Sequence, residues 1–272
     1  MSLDLSKKNC HIMGILNVTP DSFYDGGQYT SLDSILLYVE DMITSGVDIL
    51  DIGGESSRPG SKRISIQEEI DRILPVVKAI RERFDIPISI DSMKPEVVEI
   101  LLPYNIEIIN DISALSNSNY IDIIKKNNNY ICLMHMLDNP EIMQKKPSYI
   151  NVLQEVSEYL SERVNYCESH QIPKEKIIID PGFGFGKTLN HNYNLLNNLE
   201  SLVSVNKNIL IGISRKSMIG SLLNKELDKR LNGSLAASVI AVINKAKILR
   251  THDVKQTKCM LDFVEKIIGK VS

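Results

Sequence analysis

The sequence predicts an α/β fold of the (β/α)8 type, a TIM barrel in a single domain, and three observations carry that prediction. Short Ile/Leu-rich runs recur along the chain, amphipathic stretches alternate with them, and nearly every run ends on a residue able to do chemistry. Apolar runs buried on both faces are the signature of parallel strands. In a closed barrel the carboxyl ends of all the strands meet on one face, and catalysis sits there. The 272 residues match the roughly 250 that such a barrel needs.

The elements follow in order. Ile12 to Leu16 ends at Asn17, and a helical stretch from Ser31 to Ser45 comes next. Ile49 to Ile52 runs into Gly53-Gly54-Glu55 and precedes Ser65 to Phe84, where Gln67-Glu68-Glu69 puts acid in the first turn, as the helix dipole favours. Ile88-Ser89-Ile90 ends at Asp91, and Pro95 to Leu102 follows with Pro95 as a first-turn proline. Ile108-Ile109 ends at Asn110-Asp111 ahead of a short helix, Ile121 to Lys126. Ile131 to Met134 ends at His135 and leads to Tyr149 to His170, and Ile177 to Ile179 ends at Asp180 before Asn192 to Val205. Ile209 to Ile213 leads to Ser214-Arg215-Lys216, with helical stretches around Met218 and from Ser234 to Lys247. Ile248-Leu249 leads to Arg250-Thr251-His252, and Asp253 to Ile268 is the last helix. No composition break interrupts the alternation, so one α/β domain with right-handed crossovers is expected. Two connections, Thr19 to Thr30 and Glu55 to Ser65, are long and punctuated by Gly, Ser and Pro. Long loops at a catalytic face are most often lids or substrate-ordering elements.

Composition narrows the function. Hydrophobic residues make up 43% and charged residues 24%, ordinary for a globular protein. A net charge of −3 gives no electrostatic case for a nucleic acid or acidic membrane partner. The four cysteines, Cys10, Cys132, Cys167 and Cys259, lie far apart without metal-site spacing, which favours a reduced compartment over a disulfide scaffold. No run approaches the roughly 18–20 apolar residues of a membrane span, and Met1 to Cys10 lacks a signal-peptide core. A soluble, cytoplasmic protein is expected.

Singly, the strand-end residues have plain explanations. An Asp there often caps the next helix, and for Asp51 and Asp91 the capping and functional readings stand level. His135 reads more readily as a satisfied core histidine than as a ligand, and Asp48 and Asp111 read as structural. Convergence alters the balance, because several acids, an amide and several cations at one barrel mouth are costly to desolvate without a ligand or mutual pairing. Asp180 to Thr188 invites a phosphate-loop reading, but Pro181 stands where the first glycine of Gly-x-x-x-x-Gly-Lys-Ser/Thr belongs. A glycine-rich turn bringing backbone close to a flat ligand fits better. Arg250 and His252 alternate on the last strand, so they share a face and can point at one anion, and the region after the last two barrel strands is a recurrent phosphate site. An anionic substrate group follows from those positions.

At this point the chain resembles dihydropteroate synthase over nearly its whole length. The segments that carry the resemblance are Met13 to Phe23, Asp51 to Gly60, Ser89-Ile90-Asp91-Ser92, Ile109-Asn110-Asp111, Leu133-Met134-His135-Met136, Asp180 to Lys187, Gly212 to Ser217 and Arg250 to Val254. Each is weak alone; together and in order they are highly specific. The resemblance implies that residues 1–272 form one pterin-binding barrel. It also implies a transferase that joins 6-hydroxymethyl-7,8-dihydropterin diphosphate to 4-aminobenzoate in folate synthesis, releasing diphosphate before the amine attacks. By the same resemblance the pterin diphosphate is bound by Ser57, Asp91, Asn110, Asp180, Lys216, Arg250 and His252. Asn17 helps bind Mg²⁺ and the diphosphate, and Arg250 with His252 completes the anion site. Asp25 stabilises the cationic intermediate, and Phe23, Ser57, Arg58 and Pro59 form the 4-aminobenzoate pocket. The catalytic set is thus Asp25, Lys216, Arg250 and His252. The residue types suit these roles, since a carboxylate accepts paired N–H bonds from an aminopyrimidinone edge and a lysine donates to its carbonyl.

The usual Ser-Thr-Arg-Pro of the second loop reads Ser56-Ser57-Arg58-Pro59 here. The lost methyl is worth on the order of 1 kcal/mol at most, so activity is expected to survive while affinity for aminobenzoate or sulfonamide mimics shifts. Ser92 for Thr and Thr251 for Val look tolerable. Three alternatives rank lower. A pterin-dependent corrinoid methyltransferase would not need the Asn17 to Phe23 loop or Ser214-Arg215-Lys216. A non-catalytic pterin-binding paralogue is at odds with intact Asn17, Asp21, Asp25, Arg58, Lys216, Arg250 and His252, and Pro181 sets aside a nucleoside triphosphatase. A homodimer is expected from the family and from Ser234 to Ile243, apolar nearly all round; burial against the barrel alone explains that helix equally well.

Overall fold

The structure, a computed structural model, describes residues 3–19, 31–56, 61, 63–137 and 147–271. Eight parallel strands run in the order β6-β5-β4-β3-β2-β1-β8-β7. They are β1 His11–Asn17, β2 Ile49–Gly53, β3 Ile88–Asp91, β4 Ile108–Asp111, β5 Tyr130–Met134, β6 Ile177–Asp180, β7 Leu210–Ile211 and β8 Ile248–Thr251. A bridge between Ile179 and Ile209 joins β6 to β7 and closes the barrel. The helices are α1 Leu32–Thr44, α2 Ile66–Arg83, α3 Pro95–Leu101, α4 Asn119–Asn127, α5 Val152–Ser169, α6 Leu189–Asn197, α7 Ser217–Leu223, α8 Leu231–Ile243 and α9 Val254–Val271.

Local chemistry explains the helix starts. Ser31 accepts from Ser34 N, Ser65 from Glu68 N and Asn151 from Gln154 N. Each supplies an acceptor to a first-turn N–H that has no partner within its helix. Pro95 opens α3 at a position that needs no donor. Asp111 and Asp48 are structural, as expected: Asp111 accepts from Ser113 N and Leu115 N, and Asp48 from Ile12 N.

The period of two along each strand sorts residues between two cores. Ile12, Leu50, Ile90, Ile109, Leu133, Ile179 and Leu249 pack outward with residues of the helical layer. Met13, Ile49, Ile108, Tyr130, Cys132, Ile178, Leu210 and Ile248 fill the barrel floor, with Leu5 plugging its amino end. Above that floor the same inward parity brings in Asp51, Ser89, Asp91, Asn110, Asp180 and Arg250. The pairing register links Asp51 to Ser89, Asp91 to Asn110 and Met13 to Arg250. A sealed apolar floor under a polar layer makes the carboxyl end the open one.

Two elements differ from expectation. Only Leu210–Ile211 pairs as strand in the run Ile209 to Ile213, because the chain turns at Arg215, whose φ is 57°, to deliver Lys216 to the site. The stretch Asn192 to Val205 divides into α6 and a 3-10 segment, Leu199–Ser204. Cys10, Cys132 and Cys167 are buried free thiols and Cys259 is an exposed one. Among the described residues no helix is long and apolar enough to cross a membrane.

Candidate active site

The centre of the polar layer is an ion network spanning β2, β3, β4 and β8. Arg250 donates through Nε to Asp51 Oδ2 at 2.5 Å and through Nη2 to Asp91 Oδ2 at 2.7 Å. Asp51, fully buried, also accepts from Ser89 Oγ at 2.6 Å and from Asn110 Nδ2 at 3.3 Å. The two carboxylates keep the Arg250 guanidinium protonated against the cost of its burial. Burial pushes the Asp91 carboxyl up to about 7; Arg250 pulls it down and Asp51 adds to the rise.

A second cluster stands across the mouth. Asp180 ends β6 and takes the Gly182 N–H on Oδ1 at 2.7 Å. Lys216 donates to the Phe183 carbonyl and holds its ammonium 4.6 Å from the Phe185 ring centre. Burial lowers the lysine to about 8, with Asp180 opposing, while burial raises Asp180 and Lys216 opposes. Gly212 lies between the clusters: a Cβ there would stand 3.9 Å from both Arg250 Cβ and Lys216 Nζ.

The turn after β6 must be glycine-rich. Gly182 has a φ of +69°, and a Cβ on it would fall 1.9 Å from the His135 carbonyl oxygen. No L side chain fits that approach. The neighbouring His135 is the core histidine expected. Burial, then Lys187, lower it to about 3, so a neutral ring accepts from Lys187 Nζ on Nδ1 at 2.9 Å.

The last expected anion group, His252, lies just past β8 with Nδ1 3.0 Å from Ser214 Oγ. Arg215, next to Ser214 in the chain, pairs with Asp253. Asn17 closes β1 with its side chain exposed. Among the expected site residues, Asp91, Asn110 and Arg250 thus share one network, and Asp180 and Lys216 share a turn. Phe23, Asp25, Ser57, Arg58 and Pro59 lie outside the described residues.

Asp51, which like Asp91 the sequence leaves level between two readings, is a network residue absent from the expected site set. Its signal is a carboxylate inside an apolar run, at the same parity as Ile49 and Gly53. That parity becomes informative only once Ser89 and Asn110 stand beside it.

The comparisons agree with this geometry. A family model described as "Pterin binding enzyme" matches residues 13–252. Dihydropteroate synthase of Escherichia coli is 48% identical over 268 residues, covering 98% of this chain and 94% of that one. A Yersinia pestis dihydropteroate synthase, solved in a sulfonamide drug complex, superposes with a TM-score of 0.92 at 42% identity, over 98% of this chain and 96% of that one. The Xanthomonas albilineans dihydropteroate synthase solved with 4-aminobenzoic acid gives 0.88 at 36% identity, over 99% and 95%. A barrel of this topology, matched end to end at such identity, belongs to the dihydropteroate synthase family.

Proposed function

We propose that this chain condenses 6-hydroxymethyl-7,8-dihydropterin diphosphate with 4-aminobenzoate, giving 7,8-dihydropteroate and diphosphate, and that residues 1–272 act as one pterin-binding domain. The observation that carries the reading is the gathering of Asp91, Asn110, Asp180 and Lys216 above a closed apolar floor. Two carboxylates and an amide can accept and donate along the edge of an aminopyrimidinone, and Lys216 can donate to its carbonyl. The flat ring then lies under Arg250, whose guanidinium stacks well on planar groups. Ser57 completes the pterin diphosphate contacts.

The reaction breaks the C–O bond between the pterin methylene and diphosphate, and the electron pair leaves with the diphosphate. The aminobenzoate nitrogen then attacks the exposed methylene and gives up one proton to water or to the departing diphosphate, and no side-chain nucleophile is needed. Arg250 and His252 neutralise charge as it grows on the leaving group. Asp25 stabilises the pterin cation, and Phe23, Ser57, Arg58 and Pro59 seat the aminobenzoate ring.

Mg²⁺ suits this site. Among the described residues no His/Cys/Asp/Glu cluster could hold a metal by itself, whereas Mg²⁺ keeps several waters and is bound through few protein oxygens plus substrate phosphates. Asn17 offers such an oxygen at the mouth. When bound, the ion supplies charge neutralisation to the departing diphosphate.

The decisive experiment is diphosphate release with the pterin diphosphate and Mg²⁺, with and without 4-aminobenzoate. Dihydropteroate formation that ceases with EDTA is expected. Pterin binding without release would leave only the non-catalytic paralogue.

The chain works as a cytoplasmic homodimer. Support comes from the apolar side chains left uncovered on the neighbouring helices α8 and α9: Ile240 is 43% exposed, Ile243 54%, Phe263 67% and Ile267 49%. The barrel therefore covers only part of α8. Light scattering at micromolar concentration is expected to give twice the chain mass, and a monomer would refute the dimer.

A further inference from the structure

We propose that Lys187 is a positioning residue for the pterin pocket: one buried ammonium gathers the backbone carbonyls of the turn after β6 and thereby sets where Asp180 and Lys216 stand. The inference rests on the assignment of those two residues to pterin recognition.

Lys187 occupies the place of the phosphate-binding lysine in the failed nucleotide motif, but its side chain turns inward. It is only 4% exposed, and among the described residues it forms no ion pair with a carboxylate. Burial brings it down to about 7, with Asp180 opposing, and the charged form is costly there unless its protons are all used. Here Nζ lies 3.0 Å from the Gly182 carbonyl, 3.0 Å from that of Phe185, 3.4 Å from that of His135 and 2.9 Å from His135 Nδ1. The acceptors come from the end of β5 and from both sides of the glycine turn, so one side chain ties two strand ends together.

The turn held this way carries the recognition groups. Gly182 donates its N–H to Asp180, Phe183 offers its carbonyl to Lys216, and the Phe185 ring lies under the same ammonium. Gly182 and Phe185, the two carbonyls nearest Lys187, bracket Phe183. Without the cation three carbonyls lose a common donor, and the positive-φ glycines at 182, 184 and 186 leave the turn free to relax. Asp180 and Lys216 would both lose their backbone supports. None of the residues assigned above to 4-aminobenzoate belongs to this turn.

The test compares the full chain with Lys187→Met and Lys187→Gln. Pterin diphosphate affinity is read by calorimetry in the absence of turnover, and the KM for 4-aminobenzoate at saturating pterin. For Lys187→Met, pterin affinity should fall by about 10- to 100-fold, the range seen when a partner that orients a metal ligand is lost, while the aminobenzoate KM stays within about twofold. Lys187→Gln, whose amide can still donate to the Gly182 and Phe185 carbonyls, should recover part of the loss, and it carries the same test should the Met variant not fold. Pterin affinity within about twofold of the parent chain, or parallel loss for both substrates, would overturn the proposal. Failure of the unaltered chain to form dihydropteroate would instead count against the assigned reaction, leaving the pterin affinities readable.

Discussion

Replacing Asp51 with leucine is expected to destabilise the protein by about 3 kcal/mol, the lower end of the penalty for breaking a buried ion pair. The lower end applies because Arg250 keeps its second carboxylate, Asp91. For a chain of this size that corresponds to a fall of about 6–12 °C in the unfolding temperature. Leucine keeps the branching of the side chain, with bulkier methyls in place of the oxygens, and removes acceptors from Arg250, Ser89 and Asn110 at once. Asn110 would then lose its orienting partner, so pterin affinity should fall as well. Asp51→Asn, which retains an acceptor without the charge, should lose less on both counts. Thermal unfolding beside pterin calorimetry checks the pair of variants. An unchanged melting temperature for Asp51→Leu would show that Arg250 does not depend on Asp51.

Lys216→Ala should cost pterin binding about 10- to 150-fold, the range for one hydrogen bond from a charged donor, and affect 4-aminobenzoate recognition far less. Equal losses for both substrates would contradict its place in the pterin pocket. Its titration offers a second readout. Burial brings this lysine down to about 8, and only the protonated form is an ammonium donor. The Lys216 contribution to pterin affinity should therefore be complete below that pH and be lost as pH rises through it. Lys216→Arg keeps its charge throughout, so the alkaline decline should vanish in that variant even where affinity is lower. Persistence of the decline would assign it to another group.

The residues behind these predictions differ in how readable they are from sequence. Asp91, Asn110 and Asp180 are legible because each ends an apolar run, and a barrel gathers run ends. Lys216 is legible from Ser214-Arg215-Lys216, although the sequence does not say which cation enters. The turn at Arg215, whose N–H donates to Ser234 Oγ and whose carbonyl accepts from Arg230, sends Arg215 to Asp253 and Lys216 inward. The seventh strand is shorter than its run suggests, since the five residues Ile209 to Ile213 include some that are buried without being paired. Burial makes a run apolar whether or not it joins a ladder.

The one-dimensional order of residues therefore determined the architecture, the floor of the barrel and the identity of the groups at its mouth. Strand alternation and strand-end chemistry are local properties, encoded within a few consecutive residues. Tertiary structure alone decided the partners: Arg250 between Asp51 and Asp91, His135 against Lys187, Lys216 on the Phe183 carbonyl. Those pairs are separated by as much as 199 residues. Which buried charge meets which depends on register and closure, and these arise only when the eighth strand returns to the first.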